Sequence, residues 1–386
     1  MKITEAIYFK NFKKKKVNIR LFKLLKDLTS KENQIIRSLT SSYQNSYSNS
    51  IILKLKKYSE IKLIGMGGST LGARAIYSFL KDKIKKNFIF VDSLEPKNDK
   101  IKNKKSFLNL IISKSGNTLE TITNANILVK KNHKNIFITQ NQKSYLMTLA
   151  KKLKAEVIHH NDFIGGRYSV LSEVGMLPAE LMGLKQKKFR QFNNLIKNKN
   201  FMNSLILNVA NIHELIKKKR YNSIILNYDK NSYDLFSWYQ QLVAESLGKK
   251  GKGLLPVISS MPRDNHSLMQ YYLDGNRNSF FTFFFVRNES SDKIVNKDVL
   301  NSHYYLKNKN VFKIREAQFL ATQKVFKKKN IPFRSFHLNK RNEKSLGELF
   351  TFFILETILL GKLLNINPYN QPAVELIKTD TKKILL

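Results

Sequence analysis

Cysteine is absent from all 386 residues. Neither a disulfide framework nor a thiolate metal site is open to this chain, and its composition lends no support to export. Acidic residues are scarce, 28 Asp and Glu against 69 Lys and Arg, for a formal charge of +41. A surplus of that size invites a nucleic-acid or anionic-membrane reading. Yet the basic runs at 13–16, 217–220 and 327–329 are short, far apart and diluted by Asn and Ile, which fits a preference for AT-rich codons better than a binding footprint. No nucleic-acid or membrane partner is expected, although such a surface would attract phosphorylated metabolites. Long apolar runs are missing as well. The most apolar helical stretch, residues 346–364, is cut by Glu348, Glu356 and Lys362 and reads as a core helix rather than a membrane span. The first 16 residues mix Lys, Glu and Asn with isolated Ile and Phe and carry no signal-peptide core. A cytoplasmic setting is the resulting expectation.

What is present is an alternation of short apolar runs and amphipathic stretches. Residues 1–50 are polar, with a weak helical pattern at Val17, Leu21, Leu25 and Leu28, and read as a helical N-terminal segment. Strands are then expected at 61–64, 88–91, 107–112, 136–139 and 155–159, with helices between several of them. Such alternation implies a parallel sheet covered on both faces, with ligands at the carboxyl ends of its strands. A polar, basic stretch at 185–200 marks a boundary, after which helices at 201–217 and 233–247, strands at 223–228, 280–286 and 333–338, and two C-terminal helices make a second α/β unit. The expected division is 1–50, 51–188 and 189–386.

Three turns between strand and helix stand out. Residues 111–121, Ile-Ile-Ser-Lys-Ser-Gly-Asn-Thr-Leu-Glu-Thr, run from a buried strand into a helix start. The hydroxyls of Ser113, Ser115 and Thr118, the flexible backbone at Gly116 and the free amides of the helix suit a phosphate. The same letters also describe an ordinary helix cap with Thr118 as the capping residue. Residues 65–72, Gly-Met-Gly-Gly-Ser-Thr-Leu-Gly, form a glycine turn whose Ser69 is a second phosphate ligand or a cap. Its spacing departs from the dinucleotide fingerprint Gly-x-Gly-x-x-Gly, and only Asp92 offers an acid near the end of the next strand, so a nucleotide-dependent dehydrogenase ranks behind. Residues 164–175 hold Arg167 between a glycine pair and a helix start, which is more than a surface ion pair needs.

In the helix that closes with Gln241-Leu-Val-Ala-Glu245-Ser-Leu-Gly-Lys, Gln241 and Glu245 share a face one turn apart. A carboxylate at a helix C-terminus is opposed by the dipole, which would move it toward the range a general base needs. His266 follows a Pro/Asn turn at the start of a helix; isolated histidines are more often structural, and its candidacy rests on Glu245 being near. In Asn367-Pro-Tyr-Asn-Gln371-Pro-Ala-Val-Glu-Leu-Ile-Lys378, Gln371 precedes a helix that carries Lys378. Pro372 fits a first helical turn and would leave Lys378 in phase with Gln371.

Taken together, the blocks at 65–72, 113–121, 165–175, 241–249 and 371–378, with Asn265-His266 before the last, resemble the phosphoglucose isomerase family; the Gly-Gly-Arg-Tyr-Ser and Glu-Ser-x-Gly-Lys blocks are the most specific. The resemblance implies two sugar-isomerase (SIS) domains, each a three-layer αβα unit with a mainly parallel sheet. It also implies reversible aldose–ketose isomerisation of glucose 6-phosphate and fructose 6-phosphate, in glycolysis and gluconeogenesis, without metal or cofactor. By the same carry-over, Gly68, Ser69, Ser113, Lys114, Ser115, Gly116, Asn117 and Thr118 hold the phosphate end, with Gly166 beside Arg167. Glu245 moves the proton through a cis-enediol and Arg167 stabilises the oxyanion. His266 and Lys378 assist ring opening, and Gln241 and Gln371 position substrate. The family places the histidine across a subunit interface, so a homodimer is implied. The last block departs from the family pattern Asp-Gln-x-Gly-Val-Glu, reading Asn-Gln-Pro-Ala-Val-Glu. Two alternatives stay open: an enzyme also acting on mannose 6-phosphate, and a non-catalytic SIS regulator that binds a phosphosugar.

Overall fold

The structure, a computed structural model, describes residues 1–12, 19–30, 33–94, 107–287 and 301–386. The basic run at 13–16 and Val17 of the N-terminal pattern lie outside the described residues. Ten strands follow in chain order: β1 (Ile7–Lys10), β2 (Glu60–Gly65), β3 (Asn87–Val91), β4 (Phe107–Ile112), β5 (Lys134–Thr139), β6 (Glu156–His159), β7 (Asn222–Asn227), β8 (Leu255–Ser260), β9 (Ser279–Val286) and β10 (Phe333–Leu338). They form two five-stranded sheets, ordered β3-β2-β4-β5-β6 and β1-β10-β9-β7-β8.

Both sheets repeat one winding. The chain starts in an inner strand (β2 or β7), moves outward to β3 or β8, then crosses back to the other side of its start to lay down β4 and β5, or β9 and β10. All these pairs are parallel. The reversal leaves a crevice at the carboxyl ends of β2 and β4, where the order switches and ligands bind in sheets of this kind. The glycine turn after β2 and the serine-rich loop after β4 flank that crevice. The inner strands β2, β4 and β9 are buried at every residue, as strands covered on both faces are, and the near-continuous apolar sequences of β4 and β9 reflect it.

Two elements differ from expectation. The N-terminal segment, read as helical, contributes β1, the antiparallel fifth strand beside β10. Its four residues alternate buried and exposed, too short a period to stand out among polar neighbours. Helices at Ile19–Ser30, Gln34–Ser38 and Asn49–Leu55 follow it. Strand β8 is not among the expected elements; it contains Pro256 and lies at the sheet edge, where a missing N–H is tolerated.

The helix Tyr233–Leu247 joins the halves. It packs on Leu71–Phe79 from the first half and on Glu343–Leu363 from the second. One apolar core runs through residues of both sheets and these helices. Among the described residues no helix is long and apolar enough to cross a membrane. The two acids that interrupt the Glu343–Leu363 run are buried and satisfied. Glu348 accepts a hydrogen bond from Thr4 Oγ1 at 2.6 Å. Glu356 accepts from Arg334, from Asn208 and, at 2.9 Å, from Tyr239 on the joining helix.

Breaking that last cluster on one side leaves a charge alone in the core. Arg334→Met should therefore cost about 3–5 kcal/mol, and the double variant Arg334→Met/Glu356→Leu should recover most of it; denaturant unfolding of both checks this. Glu348 behaves differently. Burial raises its pKa, against the pull of Thr4 and Lys344. A carboxyl whose folded pKa is raised contributes most below its unfolded pKa, about 4.3, and loses that contribution as pH rises through the folded value. Glu348→Gln should thus unfold at a higher temperature than the native chain at pH 7, with the gain closing as the pH is lowered toward 4; a pH series of thermal melts reads it directly.

Candidate functional site

The site begins in the turn after β2. Gly67 has φ +52°, and a Cβ on it would lie 2.7 Å from Gln241 Nε2; a Cβ on Gly68 would lie 2.1 Å from the Gly166 carbonyl carbon. The turn therefore touches the second half through Gln241 and the arginine loop through Gly166, with bare backbone at both contacts. Ser69 closes the short 3₁₀ turn Gly67–Ser69.

The loop after β4 curls over the same edge. Ser113 Oγ and Thr118 Oγ1 share a hydrogen bond of 2.9 Å. Thr118 occupies the cap position of the helix Leu119–Leu128 but makes no side-chain capping bond, which separates this loop from an ordinary cap. Ser115 Oγ accepts from Asn117 N at 3.2 Å, while Asn117 Oδ1 accepts from Tyr145 N at 3.0 Å. A Cβ on Gly116, φ +65°, would sit 2.2 Å from Ser144 Oγ. Two hydroxyls and the free amides of a helix start thus face one point, the geometry that receives an anion. Lys114 turns elsewhere: its Nζ donates to the Asp162 carbonyl at 2.7 Å, and burial holds its pKa below the usual lysine range.

Arg167 is the centre of the constellation and only 3% exposed. Its Nε donates to Ser246 Oγ at 2.8 Å. Nη1 donates to Glu245 Oε2 at 3.0 Å and to Gln371 Oε1 at 2.8 Å. Nη2 donates to the carbonyls of Pro368 at 2.8 Å and Asn370 at 3.2 Å. The Glu245 side chain, a third exposed, also accepts from Gln241 Nε2 at 3.0 Å through Oε1. Around the arginine, Trp238 Nε1 donates to the Arg167 carbonyl at 3.1 Å and Tyr168 OH donates to the Pro368 carbonyl at 3.1 Å. Burial pushes the Tyr168 phenol up to about 12, so it stays a neutral donor.

A carboxylate with one face open, an arginine behind it and an anion cradle beyond the glycine turn form an arrangement able to move a proton on a phosphorylated substrate while stabilising negative charge. Comparison with known proteins agrees with that chemistry. The family model described as phosphoglucose isomerase matches residues 29–255. The chain belongs to the phosphoglucose isomerase family. A glucose-6-phosphate isomerase of Mycoplasmopsis pulmonis is 34% identical over 84% of this chain and 82% of its own. Among solved structures, a hypothetical protein of Thermus thermophilus superposes with a TM-score of 0.82 at 21% identity, covering 95% of this chain and 94% of that one. A glucose-6-phosphate isomerase of Chlamydia trachomatis gives 0.73 at 20% identity over 99% and 89%. The two superpositions show a shared fold that covers both sheets.

The structure brings Gly68, Gly166, Arg167, Gln241, Glu245 and Gln371 together and keeps two candidates out. Lys378 lies on the helix Val374–Leu385, which buries no residue, and its ammonium bonds Glu375 at 2.7 Å. The phase with Gln371 that Pro372 in a first helical turn would give is not met, because Pro372 lies ahead of the Ala373 cap and the helix begins at Val374. His266 is exposed in the 3₁₀ turn Arg263–His266 after β8. Glu245 sits where the joining helix ends, ahead of β8, so the strand's six residues, roughly 20 Å at about 3.3 Å each, stand between the two.

Ser246 and Tyr168 were quoted in motifs without a role. The signal for Ser246 was its register: it continues the buried series Leu235, Tyr239, Leu242 of the joining helix, and a hydroxyl on an apolar face needs a partner. The acceptors Pro368 and Asn370 act through their backbones, which side-chain identity does not advertise.

Proposed function

We propose that this chain interconverts glucose 6-phosphate and fructose 6-phosphate through proton transfer by Glu245. The observation that carries the reading is the Glu245 carboxylate held between Arg167 Nη1 at 3.0 Å and Gln241 Nε2 at 3.0 Å, on the same edge as the anion cradle. The phosphate binds at Ser113, Ser115, Thr118 and the Gly68–Ser69 turn, and Lys114 braces that loop from behind. In the open-chain sugar, Glu245 takes the proton from C2. The C–H electrons form the C1=C2 bond of a cis-enediol, and the carbonyl oxygen at C1 gains the negative charge. The O2 proton then passes to O1, and the electron pair left on O2 closes to the C2 carbonyl as C1 takes the proton back from Glu245, which gives the ketose. Arg167 offers charge-assisted hydrogen bonds where that negative charge develops, the position in which an arginine lowers the barrier most. Gln371 and Gln241 hold the hydroxyl groups in line.

Ring opening needs a further acid and base. His266 is the residue for that step, supplied by a second copy of the chain, because its own copy holds it at the opposite end of β8 from Glu245. The working unit is then a homodimer, in the cytoplasm, with sites composed of both subunits.

Glu245→Gln should bind fructose 6-phosphate normally and lose about 10²–10⁴ of its turnover; a coupled assay run side by side on fructose 6-phosphate and mannose 6-phosphate measures this and the sugar preference, and full turnover by the variant removes Glu245 as the base. A second experiment tests the composite site. Glu245→Gln and His266→Ala chains should each be nearly inactive alone yet regain activity when their subunits are exchanged, since one site of every hybrid dimer then holds both native residues. Absence of recovery in a verified hybrid places His266 outside the partner's site.

A further inference from the structure

Three of the acceptors that Arg167 uses, Gln371 Oε1 and the carbonyls of Pro368 and Asn370, come from one irregular loop. If Arg167 is to turn any donor toward a substrate oxygen, something else must keep that loop in place. Lys249 is built for it. All three donors of an ammonium point at the loop: to the carbonyl of Asn367, the carbonyl of Asn370 and, at 3.1 Å, Asn370 Oδ1. The Asn370 carbonyl is thus shared between the two cations. Lys249 follows Gly248, the residue at which the joining helix stops, and its own N–H bonds the Leu247 carbonyl at 2.9 Å. It therefore ties the end of the helix that bears Glu245 and Ser246 to the loop that bears Gln371.

We propose that Lys249 is a positioning residue of the isomerase: it clamps residues 367–371 to the end of the joining helix, so that Arg167 keeps its orientation toward Glu245 while exchanging a protein acceptor for the substrate's developing oxyanion. The inference rests on Arg167 and Glu245 being the reacting pair. Electrostatics place the three charges within reach of one another, since Lys249 is held below the usual lysine range by burial first and Arg167 second, with Glu245 pulling the other way. Lys249 also lines a cavity of about 540 Å³ with Lys250, Lys252 and Pro372, from which it could instead contact an anion directly. The two roles separate kinetically. A clamp acts on the transition state and appears in kcat; a ligand of the bound sugar phosphate appears in KM.

The test compares the full-length native chain with Lys249→Met and Lys249→Arg, measuring kcat and KM for fructose 6-phosphate together with thermal melts. A clamp gives Lys249→Met a kcat lowered about 10- to 100-fold with KM nearly unchanged, and partial rescue in Lys249→Arg, which keeps charged donors but cannot reproduce all three contacts. Should the methionine variant melt early, the folded arginine variant still decides, by a reduced kcat at native KM. Native kcat in both variants, or a raised KM at native kcat, overturns the proposal. Glu245→Gln run in parallel separates the two failures: if it stays active the reacting pair itself is wrong, whereas if it is inactive and Lys249→Met keeps its kcat, only the clamp is.

Discussion

A guanidinium out of contact with water is the constraint on which the rest of this molecule depends. Arg167 is 3% exposed, and removing a cation from water is costly enough that it persists only where its donors are met and a counter-charge is near. Every nitrogen of the Arg167 fork is engaged, and the acceptors come from two separate places in the second half: the end of the joining helix, and the loop before the last helix. The arginine itself belongs to the first half. The Arg167 constellation is therefore not complete within either sheet unit. The same contacts that satisfy a buried charge hold the Glu245 carboxylate at the end of the joining helix. One set of hydrogen bonds serves both the fold and the arrangement of the candidate site.

The repeated winding explains why the two sheet units contribute unlike parts. In the first, the switch point between β2 and β4 is used directly, and the cradle sits at the carboxyl ends of its strands. The second presents its opposite edge, because the helix Tyr233–Leu247 leaves the carboxyl end of β7 and delivers Glu245 at its own far end. A helix of 15 residues spans about 22 Å at roughly 1.5 Å per residue, enough to carry a side chain from one edge of a sheet to the other. Two similar units meet head to side, and the site forms where carboxyl edge meets helix end.

Much of this was legible before any coordinates. The five strands of the first unit and the inner strands of the second announce themselves as largely apolar runs bounded by glycine and hydroxyl turns, since burial on two faces leaves few polar positions. The cradle, Arg167 and the Gln241–Glu245 pair were visible as residue types at spacings that suit their chemistry. What stayed hidden has physical reasons. Strand β1 is too short to show a period, and β8 contains a proline that only an edge position excuses. Lys114, which the family resemblance puts at the phosphate, carries a long flexible side chain whose direction the sequence does not fix, and here it donates to the Asp162 carbonyl. A helix with Pro372 in its first turn would put Lys378 in phase with Gln371; the helix starts at Val374, and Lys378 bonds Glu375 on its exposed surface instead.

The bias toward lysine supplies one more signal, visible only once the core is known. In a chain whose basic residues are so many and so often lysine, a cation on the surface gains little from being arginine. Among the described residues the buried guanidiniums are Arg167, Arg190 and Arg334, and each uses what lysine lacks, a planar fork with several donors in fixed directions. Arg190 bridges the Tyr43 and Leu171 carbonyls and Asn45; Arg334 gathers Glu356, Asn208, Thr282 and Tyr239. The Arg334 cluster grips Tyr239, about two turns behind the Glu245–Ser246 end of the joining helix, so the helix that Arg167 meets at its tip is held along its length by a second guanidinium. Of the three, only Arg167 lies in a glycine turn open to a crevice. That setting, and not the charge, is what separates a site arginine from a structural one in a background saturated with positive charge.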